Sequence, residues 1–213
     1  MLRYAHADDL EDLPRLKETM FRDRAQQFAD RLGWEVEVDD RGHERDAYDA
    51  ENPLYVIWET PEGTHGGSMR FLPTMGPTMV NDHFRHLMDG VPLRAPRIWE
   101  CTRFCLAAGA EARVAAALMV ACGEIFRGFA LSHLVGVFDA RMVRIYRLIG
   151  ASPQVLGAEG TGRDRIAVGL WAYAEADKDK VFGRAGITEA QSAEWFARSP
   201  AAARRDRRET RVA

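Results

Sequence analysis

The chain has 213 residues, 46% of them hydrophobic and 29% charged, with a formal net charge of −3. That is the composition of a soluble globular protein with one good-sized core, and the charge balance argues against nucleic-acid binding by the surface as a whole. The start, MLRYAHADDLEDL, has no apolar signal core, and no apolar run approaches the roughly 20 residues a bilayer demands, so a cytoplasmic protein with no membrane partner is expected.

In chain order, residues 7–33 read as helix, with a break near Glu18. Leu16, Met20, Arg24, Phe28 and Leu32 recur at i+4 and share one face. Arg24 interrupts that apolar stripe: its stem can lie on the core with the head in water, or it can point a cation into a pocket beside Phe28. Gly33 ends the helix, and Trp34 to Val38 alternates like a first strand. Asp39 to Asn52 is very polar and reads as a loop or a short mobile segment over a site. Asp46 and Asp49 are three apart, so one helical turn brings both carboxylates to one side, either solvated or holding a cationic group. Leu54 to Thr60 and Gly67 to Leu72 form a hairpin, Asn81 to Met88 a short helix.

The stretch Ile98-Trp99-Glu100-Cys101-Thr102-Arg103-Phe104 has the aromatic and β-branched content of a buried strand, yet holds a carboxylate and a guanidinium. Each needs a partner or a ligand, because an unpaired buried charge costs several kcal/mol. Strict alternation puts Glu100 and Arg103 on opposite faces, so if both serve one site a β-bulge near Cys101 or Thr102 is required. A structural ion pair with partners elsewhere is the other reading.

Glu111 to Ala130 is a long helix with Val114, Leu118, Cys122, Ile125 and Phe129 as its core stripe, and Leu131 to Phe138 a buried strand. Asp139 caps a helix Ala140–Ile149, with Gly150 just past its end. Arg165 to Tyr173 is another strand, and Thr188-Glu-Ala-Gln191 a capping box opening a helix to about Arg198. One domain over 1–198 is expected, then a basic tail over 199–213 that is frayed or disordered. Cys101, Cys105 and Cys122 have no metal spacing and read as small buried residues in a reducing compartment, so no metal site is expected. The order of elements suggests a mixed α/β layer sandwich, a sheet with helices on both faces.

Several segments together resemble the acyl-homoserine-lactone synthases, the autoinducer synthases of bacterial quorum sensing. They are Arg24, Phe28 and Trp34; Glu44-Arg-Asp46-Ala-Tyr-Asp49; Met69-Arg70-Phe-Leu-Pro-Thr-Met-Gly-Pro-Thr-Met79; and Trp99-Glu100-Cys-Thr-Arg103-Phe104. Each piece alone is weak; their order and spacing over the first half of the chain are highly specific. The resemblance implies an N-acetyltransferase-like fold, a three-layer sandwich. It implies acyl transfer from acyl carrier protein, or coenzyme A, to S-adenosylmethionine, with release of an acyl-homoserine lactone and 5′-methylthioadenosine. S-adenosylmethionine is then a substrate and no cofactor is expected. A monomer is expected.

The resemblance carries functional roles onto Arg24, Phe28, Trp34, Asp46, Asp49, Arg70, Glu100 and Arg103. Glu100 is the candidate general base, direct or through one water, since an amine attacks a thioester only after losing its proton. Asp46 and Asp49 would orient the sulfonium-bearing substrate or brace Arg24, while Arg70 and Arg103 would hold carboxylates. Phe28 and Trp34 would offer aromatic faces to the adenine or sulfonium. Leu106, Leu118, Phe126, Leu134, Gly136 and Phe138 are the expected acyl pocket, with Ile125 beside them. Family members that prefer 3-oxoacyl chains tend to carry Thr near Gly136, so donors without a 3-oxo group are expected. Thr102 stands where many members have Ser. Arg141, Arg144 and Arg147, with Arg204, Arg205, Arg207 and Arg208 in the tail, are candidates for docking an acidic acyl carrier protein, against the plainer reading of a solvated helix face.

Two other functions fit such a fold: an acyl-CoA-dependent N-acyltransferase acting on another amine, and a non-catalytic ligand-binding module. The first would carry a pyrophosphate-binding Arg/Gln-x-x-Gly-x-Gly/Ala loop, but the junction reads Ala107-Ala-Gly-Ala-Glu-Ala-Arg113. The second would yield no methylthioadenosine.

Overall fold

Seven strands build one sheet: β1 (Leu2–His6), β2 (Leu54–Glu59), β3 (His65–Pro73), β4 (Ile98–Leu106), β5 (His133–Asp139), β6 (Gln154–Glu159) and β7 (Ile166–Ala172). The computed structural model describes residues 1–149, 152–173, 175 and 178–205. The strand order is β1-β2-β3-β4-β5-β7-β6; every neighbouring pair is antiparallel except β4 and β5, which run parallel.

Helices cover both faces, and β2 shows why its sequence LYVIWE is apolar up to its last residue, Glu59. Tyr55 and Ile57 face α1 (Pro14–Ala25), packing with Leu16, Met20 and Phe21. Leu54, Val56 and Trp58 face the other way, into the main core with Val114, Leu118, Ala121 and Ile125 of α3 (Ala112–Gly128). A third cluster joins Val80 of the short α2 (Met79–Asp82) to Val135 and Val168. Helices α4 (Ala140–Ile149), α5 (Lys178–Ala185) and α6 (Glu189–Ala197) follow among the described residues. The result is a mixed, open three-layer sandwich.

Several expectations need correction. The first strand is Leu2–His6, while Trp34 to Val38 forms only a single bridge, Val38 to Glu44. Trp34 is instead half exposed and stacked on Phe28, so its alternation serves a ring contact rather than a ladder. The break in 7–33 lies at Leu13, before Pro14, whose ring suits the first helical turn and nothing deeper. Strand β6 escaped detection because it is an edge strand exposed on both faces, with no apolar side to betray it. The chain past Ser199 is helical over 200–205, with Ala201 and Ala202 buried and Arg204 Nη2 2.6 Å from Asp9 Oδ1. The start of the expected tail is therefore part of the fold, because small residues and one ion pair dock it. Gly150, Arg207 and Arg208 lie outside the described residues. The capping box is present: Gln191 N–H donates to Thr188 Oγ1 at 3.1 Å and Thr188 N–H to Gln191 Oε1 at 2.9 Å. Asp139 Oδ1 accepts the Arg141 N–H at 2.9 Å at the start of α4.

Candidate active site

The bulge required of β4 is present, one residue later than expected. Ser68 opposes Cys105 and Arg70 opposes Thr102, so Met69 on β3 faces both Arg103 and Phe104 on β4. Arg103 takes the left-handed conformation at φ 52°, strain of about 1–2 kcal/mol for a residue with a Cβ. That turn brings its guanidinium to the α1 side of the sheet, where it joins Arg24 and Arg70.

There three guanidiniums and three carboxylates close a ring of alternating charge. Arg24 Nε donates to Glu44 Oε2 at 2.5 Å, and Glu44 Oε1 accepts from Arg103 Nη2 at 2.9 Å. Arg103 Nη2 is 2.8 Å from Asp46 Oδ2, which also accepts from Arg70 Nη2 at 2.9 Å. Arg70 Nη1 donates to Asp49 Oδ1 at 2.8 Å, and Asp49 returns to Arg24 through two bonds of 3.0 and 2.9 Å. The 3₁₀ turn Ala47–Glu51 makes this possible: Asp46 and Asp49 sit on one side of it and cap its backbone, Asp49 Oδ2 accepting from Asp46 N–H and Asp46 Oδ1 from Tyr48 N–H. Asp39–Asn52 is thus tied to the sheet through its carboxylates.

The ring is dry. Arg24, Glu44 and Arg70 have 1%, 0% and 0% of their surface exposed, so their charges persist only because each is paired. Burial alone would raise the Asp49 carboxyl, but Arg24, Arg70 and the Tyr55 hydroxyl outweigh it and hold it well below the usual carboxylate range. Burial likewise works against the Arg24 charge, and Asp49 and Glu44 more than restore it. Tyr48 lies under Arg70, ring centroid to guanidinium 5.6 Å, and Thr102 Oγ1 accepts from Arg70 Nε at 3.1 Å.

Glu44 lies within the motif without an expected role, yet it bridges two of the arginines. The sequence signal for it is the charge count: Arg24, Arg70 and Arg103 need three acidic partners, and Asp46 and Asp49 supply two.

Next to the ring, α1 widens into a π-helical turn over Gln26–Arg31, a distortion frequent at functional sites. It carries Phe28, whose ring stacks on Trp34 at 5.2 Å and 9° and receives the Arg103 guanidinium at 5.4 Å from its centroid.

Glu100 lies on the same face but apart from the ring's ion pairs. It is fully buried, and its oxygens accept Met79 N–H at 3.1 Å and Val80 N–H at 2.5 Å, at the start of α2. Burial raises its carboxyl to about 7, the two N–H groups only partly countering it.

A cavity of about 760 Å³ opens beside this cluster. The parallel ladder between β4 and β5 covers three registers, Ile98–His133 to Glu100–Val135. Beyond it, residues 101–104 and 136–139 line the cavity from its two sides, so it occupies the wedge where the strands part. Phe28, Arg31 and Trp34 line it from the α1 face, Met119, Phe126 and Phe182 from the α3 and α5 face, so it passes through the sheet. Leu106, Phe126, Leu134, Gly136, Phe138 and Arg141 are on its wall. Leu118 and Ile125 are not; both are fully buried in the main core, on the side of α3 that faces β2 and β3. Leu118, expected in the pocket, is therefore not on the wall of this cavity. The wall residues that sequence reasoning missed include the aromatic Phe104, Tyr146 and Trp171, with Phe138, Tyr146 and Trp171 edge to face at 5.2–5.8 Å. Gly136 has a steric reason: a Cβ there would meet the Cys101 carbonyl oxygen at 2.7 Å. Cys101 and Cys122 also line the cavity, and burial pushes the Cys122 thiol to about 12 and Cys101 up as well, which leaves both as uncharged apolar lining. Arg141, Arg144 and Arg147 are exposed on α4; Arg141 pairs with Asp139, and Arg144 and Arg147 have no ion pair among the described residues. Among the described residues no three His, Cys, Asp or Glu side chains converge to hold a metal ion.

A mixed sheet wedged open between two parallel central strands, with an apolar passage on one side and a charge cluster on the other, is the frame of an acyltransferase with an N-acetyltransferase-like fold. An acyl-CoA N-acyltransferase from Pseudomonas aeruginosa shares that fold, with a TM-score of 0.51 at 14% identity over 81% of this chain and 99% of that one. The autoinducer synthase family model matches residues 10–181. The acyl-homoserine-lactone synthase of Rhizobium etli is 42% identical over 178 residues, 80% of this chain and 84% of the relative. BjaI, a CoA-dependent acyl-homoserine lactone synthase solved with SAM and isopentyl-CoA, superposes with a TM-score of 0.79 at 20% identity, over 97% of this chain and 98% of its own. The chain belongs to the autoinducer synthase family. No helix among the described residues is long and apolar enough to cross a membrane.

Proposed function

We propose that this enzyme transfers an acyl group from a thioester donor to the amine of S-adenosylmethionine and lets the product close to an acyl-homoserine lactone, releasing 5′-methylthioadenosine and so making a quorum-sensing signal. The observation that carries this reading is the closed charge ring at the mouth of a through-sheet apolar cavity, in a chain of this family. The Phe28–Trp34 stack at that mouth suits an adenine or a sulfonium. Asp46 and Arg103, the ring's more exposed members, are the groups best able to exchange a ring partner for the substrate's ammonium or carboxylate. Arg24, Asp49 and Arg70 hold them in place.

Glu100 serves as the base. A carboxyl at about 7 matches a proton transfer near neutral pH. Since its oxygens rest on the α2 N–H groups, the proton reaches it through a water. Lactone closure asks little more of the protein, because the carboxylate attacks its own γ-carbon and the thioether leaves a sulfonium neutral. The acyl chain lies in the cavity between β4 and β5, and donors without a 3-oxo group fit best.

The donor is an acyl carrier protein or an acyl-CoA; Arg144 and Arg147, without an ion pair among the described residues and beside the cavity-lining Arg141, would dock the acidic carrier protein. The protein acts as a cytoplasmic monomer. Incubating the purified chain with S-adenosylmethionine and acyl donors, and following methylthioadenosine and lactones by mass spectrometry, tests the whole reading. Failure to release methylthioadenosine with any donor would leave a ligand-binding module.

A further inference from the structure

Where the cavity reaches the α3–α5 face, a second, open basin of about 500 Å³ lies beyond it. The two share three lining residues, Arg127, Tyr173 and Lys178, so these side chains are the partition. Arg127 Nη1 donates to the Tyr173 hydroxyl at 3.1 Å, and Nη2 to Glu124 Oε1 at 2.8 Å. The Arg127 guanidinium also lies 5.8 Å from the Tyr173 ring centroid. Lys178 Nζ is 2.6 Å from Glu189 and 3.2 Å from Glu175. On the inner side the Tyr173 ring lies 5.9 Å from Phe126, over Gly123, where a Cβ would meet it at 3.3 Å. The partition is thus apolar towards the cavity and charged towards the basin. Arg127 is held by Glu124, whose side chain is only 5% exposed, but its own side chain is 47% exposed and its bond to the Tyr173 hydroxyl lies at the surface, so a chain end can part Tyr173 from Arg127 while the Glu124 pair stays.

We propose that the Arg127–Tyr173 latch, backed by Lys178, closes the far end of the acyl passage and sets the longest chain the enzyme accepts. This rests on the reading that the cavity holds the acyl chain. Chains that stop short of the latch are held dry; longer ones must displace it and extend into the basin. The discriminating measurement is kcat/KM for a hexadecanoyl donor relative to an octanoyl donor. The ratio rises about tenfold in Tyr173→Ala and in Arg127→Ala, the gain from burying between one and two further methylenes. Tyr173→Phe, which keeps the ring and removes only the hydroxyl, shifts it less. An unchanged or lower ratio in both alanine variants overturns the latch. Binding of bromohexadecanoate, read by quenching of tryptophan fluorescence (Trp34 and Trp171 line the cavity), gives a second test without catalysis. It tightens in the alanine variants, and equal affinity in all chains counts against the proposal. If the unaltered enzyme formed no lactone from any donor while the probe still separated the variants, the synthase reading would fall and the latch would stand.

Discussion

The charge ring and the through-sheet cavity meet at Phe28 and Arg103, yet they are built on opposite rules. In the ring each guanidinium touches two carboxylates and each carboxylate two guanidiniums, so every position demands a particular residue type at a particular place. The cavity wall demands only apolar surface of the right shape, and many side chains provide that. A ring of this kind tolerates no substitution and gives no freedom; a wall tolerates many and can be retuned. An enzyme that keeps one acceptor and varies its acyl donor would place its fixed chemistry on the first and its selectivity on the second.

Removing one member of the ring is the harshest test of that contrast. Arg24→Ala leaves Glu44 and Asp49 buried and each short of a partner, which costs about 3–5 kcal/mol. Set against a total stability of about 5–15 kcal/mol, this should lower the denaturation midpoint sharply and abolish lactone formation. Arg24→Lys should rescue little, since an ammonium cannot make the paired bonds to Asp49 while also reaching Glu44. A stability loss below about 1 kcal/mol in Arg24→Ala would mean the ring does not act as a unit.

Glu100→Gln probes the chemistry beside the ring. The amide cannot take up the amine's proton, so turnover should fall by about 10²–10⁴-fold. Wild-type turnover should rise with pH through about 7, as the carboxyl ionises, and that limb should vanish in the variant. Stability gives an independent check. Between the ordinary value of 4.5 and about 7, the folded chain holds the Glu100 proton and the unfolded chain does not. Stability from this group therefore falls as pH rises through that window, by up to about 3 kcal/mol. The variant lacks the titration, though it satisfies only one of the two N–H groups at Met79 and Val80. Its stability relative to wild type should thus improve from pH 5 to pH 8, measured by chemical denaturation. No change across that range would assign the Glu100 carboxyl an ordinary pKa and remove it from the base role.

The same contrast explains what could be read from the sequence. Arg24, Arg70, Glu100 and Arg103 stand out because each is a charge in an apolar stretch, and a carboxylate and guanidinium three apart in one strand require a bulge if both serve one site; Asp46 and Asp49 sit in a polar loop and are singled out by the family resemblance. The bulge itself was placed one residue early, since alternation says that a residue must be inserted but not which one takes the left-handed conformation. Trp34 reads in sequence as a strand residue, because an aromatic that stacks on a neighbouring ring looks the same there as one that faces a core. The wall was poorly legible. Leu118 and Phe126 lie on the same helix, and the periodicity that puts both on its apolar side does not say which meets the sheet and which the cavity. Trp171 and Tyr146 were passed over because their positions depend on the parting of β4 and β5, a relation between strands that no local pattern encodes.

Leu118 and Leu134 turn that misreading into a test. Leu118→Ala empties a packed core site and should cost about 2–5 kcal/mol of stability, with the distribution of acyl chains among the lactones unchanged. Leu134→Ala, though Leu134 is also buried in the main core, widens the cavity it lines, so it should shift the distribution several-fold, read by mass spectrometry. A product shift in Leu118→Ala matching that of Leu134→Ala would show that the boundary between core and cavity is drawn in the wrong place.

The smallest effect is expected at the outer surface, where charge is neither ring nor wall. Arg144 and Arg147 are exposed and have no ion pair among the described residues, so folding gives them no partner to lose. Replacing both with Glu should leave the unfolding free energy within about 0.5 kcal/mol of wild type, as for most surface substitutions. If an acidic carrier protein docks on α4, the reversal converts attraction to repulsion at the rim of the interface. Rim charges act mainly on encounter, so kcat/KM for acyl carrier protein substrates should fall several-fold at low salt, with kcat itself little affected. Screening shortens the reach of these charges to about 10 Å at 0.1 M salt and about 3 Å at 1 M, so the deficit should shrink as salt is raised. Acyl-CoA turnover should change much less, because a small donor reaches the cavity without crossing the flank of α4. Equal losses with both donors would place these arginines near the donor's phosphates rather than on a protein interface. No loss with either would leave them as a solvated helix face and make coenzyme A the donor to pursue.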